Sequence, residues 1–323
     1  MEEQLILLTL FGKSFSPYAV FTAVGALLGI VVFVICGRKE KPLAVVLTVA
    51  LAVPLCLLGA RAFYVVCRLG LFAEVGFGNF FRATEPDYNI WGSVNGAAFW
   101  GAVGGGALAA LLAGRIAGSR VSGLLDAMAP GAALALACSR LGEYSIGEGI
   151  GPDVSVPGLC FFPMAVVNEW GEWKYAVFLL EALAALVIFL VLLSGRISRR
   201  GGDKARAFLI LYSSSQILFE ALRRDNFLRW LFVRVSQVTA AVVLLGLFIF
   251  AVLRWTRRPE GKRMPLKHLI AYAVGFLLLA GAVVALEFAV DKSPTLSVAM
   301  AYLLEACCAV GFGVITWQVV MKN

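Results

Sequence analysis

Long apolar runs separated by short polar connections dominate this chain. They fall near residues 18–36, 43–66, 94–114, 122–139, 175–194, 207–222, 235–253, 268–289 and 297–320. A helix needs roughly 20 mainly apolar residues to cross a bilayer core, so each run predicts a membrane-crossing helix. The runs at 122–139 and 207–222 are the weakest, being short or rich in glycine and serine. The third run carries Gly101, Gly104, Gly105 and Gly106, a face of small residues suited to close helix packing. The predicted fold is all-α and polytopic.

Composition agrees with the pattern. Hydrophobic residues make up 61% of the chain and charged residues 15%, and the mean hydropathy is +0.88, outside the soluble range. The N-terminal MEEQLILLTLFGKSF has acids where the basic region of a signal peptide would stand. It predicts a short helix in the membrane interface or a disordered tail.

Charge sets the expected orientation. Most of the 28 basic residues lie on one set of alternate connections: Arg38, Lys39 and Lys41; Arg115 and Arg120; Arg196 to Arg206; Arg254 to Lys267; and Lys322. The excess of lysine and arginine on cytoplasmic connections puts the amino terminus outside and the carboxyl terminus inside. The net charge of +8 reads as cytoplasmic anchoring rather than nucleic-acid binding, because it sits in short juxtamembrane loops. Arg223, Arg224, Arg229 and Arg234 break this rule by crowding an outer connection. They are either interfacial arginines neutralised by lipid phosphates and Asp225, or a positive collar around an anionic substrate.

Two other outer segments stand out. Residues 68–93 form a glycine- and aromatic-rich loop with Phe80, Phe81, Tyr88 and Trp91, suited to the head-group level. Residues 143–174 carry Glu143, Glu148, Asp153, Glu169 and Glu172 and predict a small extracytoplasmic head. The seven cysteines form no C-x-x-C pair, and the lone histidine, His268, lies at the cytoplasmic end of a run. No metal site is expected.

The strongest chemical signal is RLGEYSIGEGIG, Arg140 to Gly151, directly after an apolar run. A charge at the centre of a membrane helix costs roughly 2.5–3.5 kcal/mol, so charges kept at its edge need a reason. Arg140 either caps the last carbonyls of its helix or grips a phosphate with its guanidinium fork. Glu143 and Glu148 are either solvated loop acids or partners of Arg140, one of them a general base. Glu220 precedes Arg223 and Arg224 at i+3 and i+4, a favourable helix pairing in itself, with Gln216 one turn earlier. Arg61 lies about 9 Å outward of the middle of its run and either snorkels or pairs internally, with Tyr64 at i+3. Asn95, near the outer end of its run, is placed where it can face a cavity on the outer side.

These residues resemble the bacterial prolipoprotein diacylglyceryl transferase family, in divergent form, from about Ser16 to Arg254. The family pattern D-x-x-A-P followed by R-x-G-N-F-x-N-G-E-x-x-G is matched at Asp126, Ala129, Pro130, Arg140, Gly142, Gly147, Glu148 and Gly151. GARAFY (Gly59 to Tyr64), Tyr18, FEALRRD (Phe219 to Asp225) and Ser236-Gln237 add support. Departures accompany the matches. Asn95-Gly96 stands where the family has histidine and glycine, Glu143 and Ile146 replace the motif asparagines, and Gln216 replaces an arginine. WGEWKYA (Trp170 to Ala176) keeps only the tyrosine, Tyr175, of H-P-S-Q-x-Y-E.

The resemblance implies a body of about seven spans over residues 1–254, with the head at 143–174. Residues 255–323 then add a cytoplasmic loop and two further spans that match nothing in the family. It implies transfer of diacylglycerol from phosphatidylglycerol to a lipobox cysteine thiol of a prolipoprotein signal segment. The setting is the bacterial cell membrane, with no cofactor and a monomeric chain. Arg140 would bear the leaving phosphate, with Glu148 ordering the site and Glu143 as base. Tyr18, Asn95, Gly96, Glu220 and Arg223 would line the substrate. A non-catalytic member that binds phospholipid or signal segments is the alternative. A transporter fits less well, since no internal repeat is present.

Overall fold

The computed structural model describes residues 8–10, 13–81, 96–154, 156–168, 170–197, 200–224, 228–230, 233–259, 264–290 and 298–322. Its long helices are α1 (Pro17–Cys36), α2 (Pro42–Cys67), α4 (Phe99–Ala117), α5 (Val121–Gly142), α6 (Val177–Leu193), α7 (Asp203–Leu222), α8 (Val235–Thr256), α9 (Leu266–Val290) and α10 (Val298–Lys322), with a short α3 at Leu69–Val75. Seven of these are long and apolar enough to cross a membrane; α6 is a shorter apolar helix, and α7 carries charges at both ends. The chain is an all-α, multi-pass membrane protein, as the apolar pattern predicts.

Three details differ from the sequence reading. The first described residues form a hairpin, β1 (Leu8–Leu10) with β2 (Lys13–Phe15), rather than a helix or a tail. The third span begins at Phe99 instead of 94, because Gly96 holds a left-handed φ of 83° and the chain stays extended through Ala98. The first part of the loop at 68–93 is helical, and Phe72 of α3 is fully buried beside Tyr64.

Small residues set the closest helix contacts, as expected where lipid supplies no hydrophobic drive between helices. α1 meets α5 where a Cβ on Gly25 or Gly29 would come within 2.7 Å of the carbonyl oxygen of Ala135 or Gly131. α2 meets α4 where Gly59 faces Gly101, and Gly105 lies against the Leu55 carbonyl. Ser16 caps α1 through the Ala19 amide at 3.3 Å, with Pro17 at the first helical position.

At the other end of the bundle, Asp126 of α5 accepts from the backbone amides of Gly202 (2.6 Å) and Ala205 (3.0 Å). It thereby satisfies orphan donors at the start of α7 and fixes that helix beside α5. Residues of α4 through α10, from Trp100 to Val320, share one buried core, so α9 and α10 pack into the body.

Between α5 and α6 the chain folds over the end of the bundle where α1 begins. A 3-10 turn at Glu143–Ile146 follows α5. A hairpin, β3 (Ala165–Val167) with β4 (Trp173–Tyr175), precedes α6, and Asp153 bridges to Lys174.

Candidate active site

The sequence brings Arg140 to the last turn of α5 and Glu143 to the turn just beyond it. Two glycines make this junction possible. A Cβ on Gly142 would meet the Tyr18 Cα at 2.7 Å, so only glycine lets α1 approach here. Gly149 has φ of 69° and sits against Phe178, whose amide donates to the Gly149 carbonyl at 2.7 Å. That bond ties the loop to the start of α6 and brings Glu181 under it.

The result is a closed ring of buried charges. Arg140 pairs with Glu143 through Nη1, and its Nε lies 2.7 Å from Glu181 Oε2. The Nε–H is not aligned with that oxygen, so the contact is ionic rather than a directed hydrogen bond. Arg223 closes the ring, with Nη2 donating to Glu143 Oε2 at 3.0 Å and Nη1 to Glu181 at 3.4 Å. The third donor edge of Arg140 goes to the Tyr212 hydroxyl at 3.1 Å. Tyr212 itself is wedged among Phe99, Trp100 and Phe208.

Glu148 stands at the edge of the ring, 3.8 Å from Arg223, and its side chain is 20% exposed where Glu143 and Glu181 are buried. Among the described residues, two guanidinium groups thus face three carboxylates in a site largely shut off from water. Such groups are retained only when paired, because an unpaired buried charge is costly.

The other predicted residues lie at varied distances from this ring. The Tyr18 amide donates to Ser145 Oγ at 3.1 Å, and its phenol lies within electrostatic reach of Arg140, Glu143 and Glu148. Glu220 does not use the helical i+3 pairing, because α7 stops at Leu222 and Arg223 turns away into the ring. Glu220 pairs with Arg234 at 3.6 Å instead, and Arg234 donates to the Arg223 carbonyl at 2.7 Å. Arg223 and Arg234 are therefore buried partners in the site and not an exposed collar. Asp225 lies outside the described residues, as does Asn95.

Gly96 belongs to a neighbouring arrangement around Arg61. The buried Arg61 donates to the carbonyls of Phe80 (2.5 Å) and Gly96 (2.9 Å) and stacks over Tyr64 at 5.2 Å. A Cβ on Gly96 would run into Arg61 and the Tyr64 ring. Arg61 thus pairs internally and holds the segment that leads into α4.

Sequence reasoning missed Glu181 and Tyr212. Glu181 was detectable as a carboxylate inside an otherwise unbroken apolar run, which membrane energetics makes suspect. Tyr212 offered no such signal, since an aromatic on a helix usually packs. Gln216, one turn beyond Tyr212, is 2% exposed, and among the described residues its Nε2 has no hydrogen-bond partner. An open pocket of about 330 Å³ lies over the loop that follows α5, lined by Gly147, Ile150, Gly151, Asp153, Lys174 and Arg224 among others, and no ring residue lines it. Among the described residues no group of histidine, cysteine and carboxylates could hold a metal ion.

Known proteins place this arrangement in a family. The family model described as prolipoprotein diacylglyceryl transferase matches residues 5–253. A phosphatidylglycerol–prolipoprotein diacylglyceryl transferase of Bacillus licheniformis is 29% identical over 241 residues, covering 71% of this chain and 84% of the relative. Proteins of the same name from Streptomyces avermitilis and Streptococcus pyogenes are each 28% identical; the matches cover 72% of this chain and 69% and 89% of the relatives. The match spans the α5 junction, Glu181 and the Arg223 connection that together build the ring, and the chain belongs to the prolipoprotein diacylglyceryl transferase family.

Proposed function

We propose that this protein moves the diacylglyceryl group of phosphatidylglycerol to the cysteine thiol of a prolipoprotein signal segment. The sulfur attacks the glycerol carbon that bears the phosphate, a C–S bond forms, the C–O bond breaks, and glycerol phosphate leaves. The thiol proton must go to a base, because a thiol is a poor nucleophile until ionised. The leaving phosphate needs positive charge already in place.

The observation that carries this reading is the buried ring of Arg140, Glu143, Arg223 and Glu181 with Glu148 at its edge. Arg140 and Arg223 supply the charge for the phosphate. Glu148 is the better base, since it alone of the three acids has appreciable access to water and can pass its proton on. Glu143, held between two arginines, neutralises them until substrate arrives. Tyr18, Asn95, Gly96 and Glu220 complete the substrate surroundings. The basic connections support an amino terminus outside and a carboxyl terminus in the cytoplasm, in a bacterial cell membrane, with the ring on the outer side. The chain acts as a monomer without a cofactor.

The test supplies purified protein with phosphatidylglycerol and a lipobox peptide and seeks the thioether by mass spectrometry. Arg140→Ala should abolish product. One observation favours a second reading, a non-catalytic lipid- or signal-segment-binding member: each nitrogen of the Arg140 guanidinium already faces a group within the protein. Retained lipid binding without any thioether would select it.

A further inference from the structure

The helices beyond residue 253 lie outside the family match, yet one of them reaches both ends of the connection that delivers Arg223. The Tyr302 hydroxyl of α10 accepts from Arg224 Nη2 at 2.7 Å, one residue after Arg223. One turn along, Glu305 accepts from Gln237 Nε2 at 3.4 Å, in the first turn of α8. Gln237 also approaches the Ile217 carbonyl of α7 at 3.4 Å, so Glu305 supports a side chain that bridges α7 and α8. Glu305 is 1% exposed within a membrane helix, where a carboxylate persists only for a purpose. Close seating backs these contacts: a Cβ on Gly313 would lie 2.8 Å from Ser214 Oγ of α7, and Phe312 meets Phe276 of α9 edge to face.

We propose that α10 is a positioning element of the active site, with Tyr302 and Glu305 holding the two ends of the 223–234 connection so that Arg223 stays in the charged ring. Tyr302 fixes the backbone just past Arg223 through Arg224, and Glu305 fixes the start of α8, whose first residue follows Arg234. Arg234 in turn holds the Arg223 carbonyl. The added helices thereby do for this chain what the ring alone does not: they clamp the arginine that arrives from a helix end.

The proposal rests on the reading of the ring as the lipid-phosphate site, and its test separates the two. Full-length Tyr302→Phe, Arg224→Gln, Glu305→Leu and Glu305→Gln are compared with the parent for KM and kcat in the thioether assay. Native mass spectrometry counts the phosphatidylglycerol retained from mixed vesicles with phosphatidylcholine. Tyr302→Phe should raise KM for phosphatidylglycerol about three- to tenfold, the weight of one hydrogen bond, while KM for the peptide holds. Its effect should vanish in the Arg224→Gln background, as expected of one coupled pair. Glu305→Leu should act in the same direction and Glu305→Gln, which keeps an acceptor for Gln237, should restore it.

Additive effects of Tyr302→Phe and Arg224→Gln overturn the proposal. So does unchanged KM and lipid retention in well-folded Tyr302→Phe and Glu305→Leu. A parent that makes no thioether, with lipid retention that still falls in the variants, refutes the transferase reading and leaves the positioning role standing.

Discussion

Glu181 Oε2 lies 2.7 Å from Arg140 Nε, a contact between the second turn of α6 and the last turn of α5. Both side chains are buried, and Arg223 leans on the same carboxylate. Removing one member of such a pair leaves uncompensated charge, at about 3–5 kcal/mol. Glu181→Leu should therefore destabilise the protein by about that much, whereas Glu148→Gln at the ring's edge should cost below about 1 kcal/mol. Denaturation in detergent, followed by circular dichroism, compares the two. Equal losses would mean that the ring is not the buried unit described.

Gln216 separates folding from function differently. Its Nε2 is buried without a partner among the described residues, so these give the folded protein nothing from the amide. Gln216→Leu should leave stability within about 1 kcal/mol of the parent or raise it, because an orphan donor is removed. Turnover should fall, since a donor left open one turn from Tyr212 is placed to meet substrate oxygen. Full activity in Gln216→Leu would show that the amide is idle.

The spans were legible because a membrane helix is specified locally, by its own run of apolar residues. Arg140, Glu143 and Glu148 were legible because they are neighbours in sequence beside such a run. Their partners were not, since Glu181 and Tyr212 come from other helices and reach the ring only once α5, α6 and α7 are packed. Arg223 was expected to share a face with Glu220, an inference that holds only while the helix continues. α7 stops at Leu222, and the next residue swings to a different partner.

Asp126 tests the distant support of the site. It accepts from two amides at the start of α7, which carries Tyr212, Gln216 and Glu220. Loss of a helix cap costs roughly 0.5–2 kcal/mol. Asp126→Ala should lower stability by about that amount, and faster amide exchange should appear first at residues 202–206. Uniform protection there would mean that the cap is dispensable.

Lys174 gives the head a pH dependence. Its hydrogen bond to Asp153, then to Glu172, holds its ammonium above the ordinary value of 10.5. A cation with a raised folded value lends stability that is complete below its unfolded value and is lost as pH rises through the folded one. The tie between residue 153 and β4 should therefore persist at neutral pH and loosen only above about pH 10.5. Lys174→Met should show the loosened state at pH 7. Emission from the neighbouring Trp173 follows both, and a parent signal that shifts near neutrality would contradict the assignment.

Glu143 is the sharpest test of how the ring works. Glu143 and Glu181 already occupy the donors of Arg140 and Arg223, and a phosphate must compete with these carboxyl groups for the same donors. Glu143→Gln removes one negative charge while keeping the side chain's shape, so two guanidinium groups then face a single ring carboxylate. Charge-assisted bonds to phosphate are worth about 1.5–3 kcal/mol each, so phosphatidylglycerol should bind about tenfold tighter or more. If Glu148 takes the thiol proton, kcat should survive this change and collapse in Glu148→Gln. If Glu143 is the base, the pattern reverses: Glu143→Gln binds lipid tightly and no longer turns it over. Lipid affinity and single-turnover rates on the two variants decide between a glutamate that gates the arginines and one that performs the chemistry.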